Sequence, residues 1–152
     1  MSRRRCDGDF HPRRASKNSR LAAGVDVTNL FAVPAVATGV IVLVAAMHFC
    51  FLVLEMFLWQ TPFGRRTFKT TPEVAASSAV LAANQGLYNG FLAAGLLWAL
   101  IWYGVVGGRA VLTFFLVCIV VAGIYGAVTV SRRILLVQAF PAALAATFLW
   151  LS

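Results

Sequence analysis

Four long stretches of this chain hold almost only apolar side chains, at residues 33–59, 79–103, 110–131 and 133–151. Each is close to the roughly 20 residues that an α-helix needs to cross the hydrocarbon core of a bilayer. None shows the short alternating segments of a membrane barrel. The pattern predicts an all-α, polytopic membrane protein with four transmembrane helices in a single bundle. That domain covers residues 30–152 and follows a basic, disordered tail over residues 1–29. A soluble packing would need polar faces to cover four such helices, and the runs supply none.

The breaks between the runs carry recognisable signals. Pro34 suits the first turn of the first helix, where its missing N–H is harmless. A helix from there to Trp59 would be about 39 Å long. Thr61-Pro62-Phe63-Gly64 is expected to end it. Thr71 reads as an N-cap, with Pro72 at the first helical position and Glu73 in the first turn. Gly104–Arg109 and Ser131-Arg132-Arg133 are short enough to make neighbouring helices antiparallel. Trp59 marks one membrane boundary; Trp98, Trp102 and Trp150 mark the other, as interfacial aromatic belts do. Two sets of small residues, Gly86, Gly90 and Ala94, then Ala122 and Gly126, recur at four-residue spacing and predict close helix contacts.

Composition agrees with the membrane assignment, at 61% hydrophobic and 12% charged, about half the charged fraction of soluble domains. The net charge of +8 is concentrated: seven of the thirteen basic residues fall in the first twenty positions. This tail reads as a solvated segment that meets anionic lipid head groups. It has too few aromatic platforms for a nucleic-acid surface, and no short apolar segment with a cleavage site follows it. The loops after the first and third helices carry Arg65, Arg66, Lys69, Arg132 and Arg133, and the opposite side carries Arg109. Loop charges alone put the first set in the cytoplasm; Arg13, Arg14, Lys17 and Arg20 of the tail even the count, and the expected orientation follows the loops, with 60–78 and 131–133 cytoplasmic. Cys6, Cys50 and Cys118 form no CxxC pair and no disulfide framework.

The polar residues inside the runs are one-sided. Glu55 lies near the end of the first run. Asn84, Gln85, Tyr88 and Asn89 occupy the first part of the second, Tyr125 and Thr129 the last part of the third, and Gln138 the first part of the fourth. Alternating crossings bring all of them to the same membrane half, with Arg132 or Arg133 at its mouth. A carboxylate at membrane depth is costly and usually has a partner or a task. His48 lies seven residues before Glu55, on nearly the same helix face and about 10 Å away, so the two are the candidate acid–base groups. Asn84, Gln85, Tyr88, Asn89, Tyr125, Thr129, Arg132 and Gln138 are the candidate substrate-binding residues. The competing structural explanations are an ion pair from Glu55 to Arg65, Arg132 or Arg133, and ordinary interhelical hydrogen bonds for His48 and the amides. One intramembrane His and one Glu fall short of a metal site or a haem site, and no cofactor is expected.

The stretches Leu54-Glu55-Met56-Phe57-Leu58-Trp59, Thr61-Pro62-Phe63-Gly64-Arg65, Leu81–Phe91, Val121–Gly126 and Ser131-Arg132 resemble the domain-of-unknown-function family numbered 1304. The resemblance implies a small bacterial four-helix membrane protein, and no activity or catalytic residue. Three readings of the polar half follow from the residue chemistry. It binds, or acts on, a lipid or isoprenoid-like amphiphile, with Glu55 and His48 as acid–base groups. Alternatively, Glu55 serves a small proton-coupled exporter. In the third, the chain is an accessory subunit whose polar residues only join helices. Membrane lipids, an amphiphilic small molecule and a second copy of the chain are the expected partners.

Overall fold

The computed structural model describes residues 27–152, and residues 1–26 of the expected tail lie outside them. The described chain is helical throughout, in the order α1 (Val27–Leu52), a π-helical segment (Val53–Phe57), α2 (Pro62–Phe68), α3 (Pro72–Ser77), α4 (Ala79–Gly107), α5 (Arg109–Thr129), a second π-helical segment (Leu135–Ala139) and α6 (Phe140–Leu151). Three helices are long and apolar enough to cross a membrane: Ala32–Phe57, Ala79–Gly107 and Arg109–Thr129. The fourth apolar stretch, Leu135–Leu151, is shorter.

α1 packs against α4 and α6, and α5 packs against the same two helices. Glycines set the closest approaches and show the helix directions. A Cβ at Gly86 would lie 3.0 Å from the Met56 backbone nitrogen, and one at Gly90 would meet the Leu52 side chain, so α4 runs antiparallel to α1. A Cβ at Gly123 would lie 2.8 Å from the Ala139 nitrogen, and one at Gly126 3.1 Å from Ile134, which makes α5 and α6 antiparallel too. Gly86 and Gly90 of the expected small-residue faces make these contacts. Ala94 and Ala122 are exposed, and Gly123 takes the place expected for Ala122.

Each long helix buries a stripe at three- and four-residue spacing, the period that keeps side chains on one helical face. The stripes run through Ala37, Ile41, Val44 and His48 on α1; Ala82, Gly86, Ala93, Leu96 and Ala99 on α4; Leu112, Leu116, Ile119 and Gly123 on α5; and Ala142, Ala145 and Leu149 on α6. Most of them join one apolar core. Fully burying one such Leu or Ile is worth roughly 1.5–3 kcal/mol in water. Inside a bilayer the lipid tails are equally apolar, so close packing holds the helices together instead.

Several boundaries differ from those read off the sequence. Helix α1 starts at Val27, which leaves Pro34 inside it and the expected tail boundary at residue 29 within its first turns. α1 gives way to the π segment, which ends at Phe57, two residues short of Trp59. Thr61-Pro62-Phe63-Gly64, expected to end the first helix, lies beyond that end and instead starts the unexpected α2, because Thr61 accepts a hydrogen bond from the Gly64 N–H at 3.1 Å and Pro62 fits the first turn. Thr71 caps α3 through the Val74 N–H at 3.3 Å. The Glu73 carboxyl sits below the usual carboxylate range, first because its own backbone N–H binds it and then because the Thr71 hydroxyl does. The turn expected from Gly104 is a kink at φ 65°, ψ −175°, a backbone region that essentially only glycine occupies.

The two ends of this assembly differ in content. At one end the Arg109 guanidinium stacks over the Trp150 ring, 5.5 Å from its centroid, and Trp98 meets Tyr103 edge-on. At the other end lie both π segments, α2, Trp59 and Glu55.

Candidate functional site

Glu55 sits in the first π segment, where the Leu58 N–H bonds to the Val53 carbonyl, 3.2 Å away and five residues back. Gln138 sits in the second, which closes through the Phe140 N–H to the Leu135 carbonyl. Such i→i+5 insertions are rare and occur frequently at functional sites. Here both fall at the same end, on helices that pack against each other's neighbours, and each carries a polar side chain inward.

The stripe positions explain that direction. Continuing the α1 stripe from His48 by three and four residues leads through Phe51 to Glu55. On α4, Asn89 falls between the buried Gly86 and Ala93. In the π segment that leads into α6, Gln138 precedes the buried Ala142 by one turn. Glu55, Asn89 and Gln138 therefore hold positions that apolar residues fill farther along the same helices, and all three are half-buried.

Asn89 donates from Nδ2 to Glu55 Oε2 at 2.8 Å, tying α4 to the first π segment. Three cavities open around the carboxylate. The largest, about 410 Å³, is lined by Glu55, Asn89 and Gln138 together with Gln85, Tyr88, Tyr125 and Thr129. A second, about 300 Å³, lies between Glu55 and Arg133, with Thr67 and Phe68 of α2 forming one wall. The third, about 250 Å³, runs from Glu55 along Trp59, Gln60 and Thr61. The connecting segment is fixed against this end: Trp59 Nε1 donates to Ser78 Oγ at 3.2 Å, the Trp59 and Phe68 rings meet at 4.8 Å, and Arg65 donates to the Gln60 carbonyl.

The structure thus brings together seven of the residues picked from the sequence: Glu55, Gln85, Tyr88, Asn89, Tyr125, Thr129 and Gln138. Three others stand apart from these cavities. Asn84 and Arg132 are exposed and line none of the three. Arg133, the alternative to Arg132, lines the second. His48 is 1% exposed within the apolar core. Its Nδ1 bonds to the Val44 carbonyl at 2.8 Å, its ring meets Phe51 edge-on, and its Nε2 has no partner among the described residues. No ion pair joins Glu55 to Arg65, Arg132 or Arg133. Among the described residues no three His, Cys, Asp or Glu side chains come together as metal ligands would.

Thr67 and Phe68 escaped the sequence reading because they belong to a helix hidden in an expected loop. The N-cap pattern Thr61-Pro62, the same pattern as Thr71-Pro72, is the signal that could have found it.

An acceptor-only carboxylate oriented by one amide, with further amides and hydroxyls around it, can hold a cation or a group rich in N–H and O–H donors. Comparisons with known proteins supply no chemistry beyond this. Residues 42–150 match the family model described as "Protein of unknown function (DUF1304)". A relative described as "Uncharacterized protein YpaA", from Lactococcus lactis subsp. lactis (strain IL1403), is 31% identical over 98 residues, covering 63% of this chain and 81% of that protein. No solved structure matches. The family match spans every residue that lines the cavities around Glu55, and the chain belongs to the DUF1304 family.

Proposed function

We propose that this chain is an integral membrane protein that crosses the bilayer four times and binds an amphiphile. The head group would sit in the polar cavities around Glu55, and the apolar tail in the surrounding hydrocarbon. Leu135–Leu151, at about 26 Å, is the fourth crossing in this reading. It is slightly short of the ~30 Å core, a mismatch that local thinning accommodates. Four crossings leave both chain ends on one side.

The observation that carries the proposal is the setting of the Glu55 carboxylate. It occupies a core-facing position on an apolar helix, three cavities share it, and its partner is the neutral amide of Asn89 rather than a cation. A carboxylate kept at that depth for packing alone would be expected to have a basic partner. The polar lining and the almost purely apolar opposite half suit a molecule with one polar and one apolar end.

Native mass spectrometry of the full chain in detergent tests the reading. Wild type is expected to carry lipid-sized adducts that Glu55→Gln loses while melting within a few degrees of wild type. A variant that keeps every adduct of the wild type would remove Glu55 from the site. Tags at the two chain ends labelled from opposite sides would overturn the four crossings.

A further inference from the structure

The second cavity has a charge arrangement that narrows the amphiphile's class. Glu55 is its sole acid and Arg133 its sole base among the lining residues. Its remaining walls are apolar, from Phe51, Phe68, Ile134 and Val137, or uncharged polar. Only one carboxylate oxygen, Oε2, has a hydrogen-bond partner among the described residues, which leaves Oε1 for a ligand. Arg133 is exposed at the mouth, and its backbone N–H rather than its guanidinium meets Ser131 Oγ. A negative and a positive group thus face one small cavity without pairing with each other.

We propose that this cavity receives a zwitterionic lipid head group of the phosphoethanolamine class, its ammonium on Glu55 and its phosphate on Arg133. The inference rests on the amphiphile reading above and specifies its ligand. Guanidinium recognises phosphate through a planar fork of donors, and a carboxylate with a free oxygen accepts from an ammonium, so each end of the zwitterion meets a charge-assisted bond. Arg133 holds the phosphate at the rim, the ammonium reaches inward to Glu55, and the acyl chains stay in the bilayer. An anionic head group without an amine would satisfy Arg133 and leave Glu55 facing a negative ligand. A diacylglycerol would leave both charges unanswered.

The test is lipid retention by the full chain in detergent. Phosphatidylethanolamine, phosphatidylglycerol and diacylglycerol of identical chains are added, and bound lipid is read by native mass spectrometry. Wild type is expected to favour phosphatidylethanolamine over the other two by about tenfold, the scale of one charge-assisted bond. Glu55→Gln should reduce phosphatidylethanolamine to the phosphatidylglycerol level, whereas Arg133→Gln should reduce both phospholipids. Glu55→Asp keeps the charge and should keep the preference, which separates charge from folding, as do melting curves of all three variants. Equal retention of the three lipids by wild type, or a preference for phosphatidylglycerol, overturns the zwitterion assignment while the amphiphile reading stands. Retention of none of them overturns both.

Discussion

At the Arg109 end, the helices meet through fully buried Ile41, Leu96, Leu112 and Leu149, no π segment occurs although α4 kinks at Gly104, and Arg109 stacks over Trp150. At the Glu55 end, two of the four packed helices break into π segments, stripe positions pass from Leu and Ala to Glu55, Asn89 and Gln138, and cavities replace close packing. The contrast teaches that the same helical stripe builds both ends. Where it is apolar it builds the buried core, and where it turns polar three cavities meet at one carboxylate. A cavity of about 350 Å³ between α1 and α4, lined by Phe49, Leu52, Leu87 and Phe91, is apolar and only forfeits dispersion contacts, whereas the polar cavities around Glu55 are those a ligand can fill with compensation.

The comparison breaks first at glycine. A Cβ at Gly64 would collide with the Leu58 carbonyl, and one at Gly123 would press on the Ala139 backbone at 2.8 Å. Gly64→Val or Gly123→Val should cost about 3 kcal/mol or more, at the upper end of overpacking effects. Gly39 has open space around its Cβ position, and Gly39→Ala should be neutral or stabilising by up to about 1 kcal/mol from helix propensity. Melting temperatures of the three variants in one detergent check this. Equal effects would mean that the Glu55 end is not held by the contacts described.

Asn89 and His48 sharpen the contrast next. Asn89→Ala strands Glu55 Oε2 and should cost about 1–3 kcal/mol as well as weakening lipid retention. His48 already leaves Nε2 unpartnered in the core, so His48→Leu should be neutral or stabilising and should leave retention unchanged. Loss of bound lipid in the His48 variant would place the imidazole in the site after all.

The smallest effect is expected at α3. Removing the Thr71 cap should cost about 1 kcal/mol. Glu73 is held below its ordinary carboxylate range. Its contribution is therefore full above the unfolded carboxylate pKa and fades as pH falls through the lower folded value. Glu73→Gln should lower the neutral-pH plateau of the melting temperature slightly and leave its acid end unchanged, which flattens the acid limb. A steeper acid limb in that variant would contradict the bonding seen at α3.

The apolar runs, the tight connections at Gly104–Arg109 and Ser131-Arg132-Arg133, and the Thr71-Pro72 cap were legible because each rests on local chemistry: span length, turn length and the orphan N–H groups of a helix start. The one-sided placement of Glu55, the amides and the tyrosines was legible for the same reason, since alternating helix direction converts sequence position into depth. Length and polarity along the chain thus determined the long helices and the end of the assembly at which the polar residues lie. Tertiary structure alone decided which of them face inward. On helices apolar all round, no amphipathic phase distinguishes one face from another, so the sequence could not separate Asn89 from Asn84, or Arg133 from Arg132. The choice was made by backbone contacts at Gly86 and Gly123, by the π insertions, and by α2 folding back against Trp59. All of these depend on residues far apart in the chain.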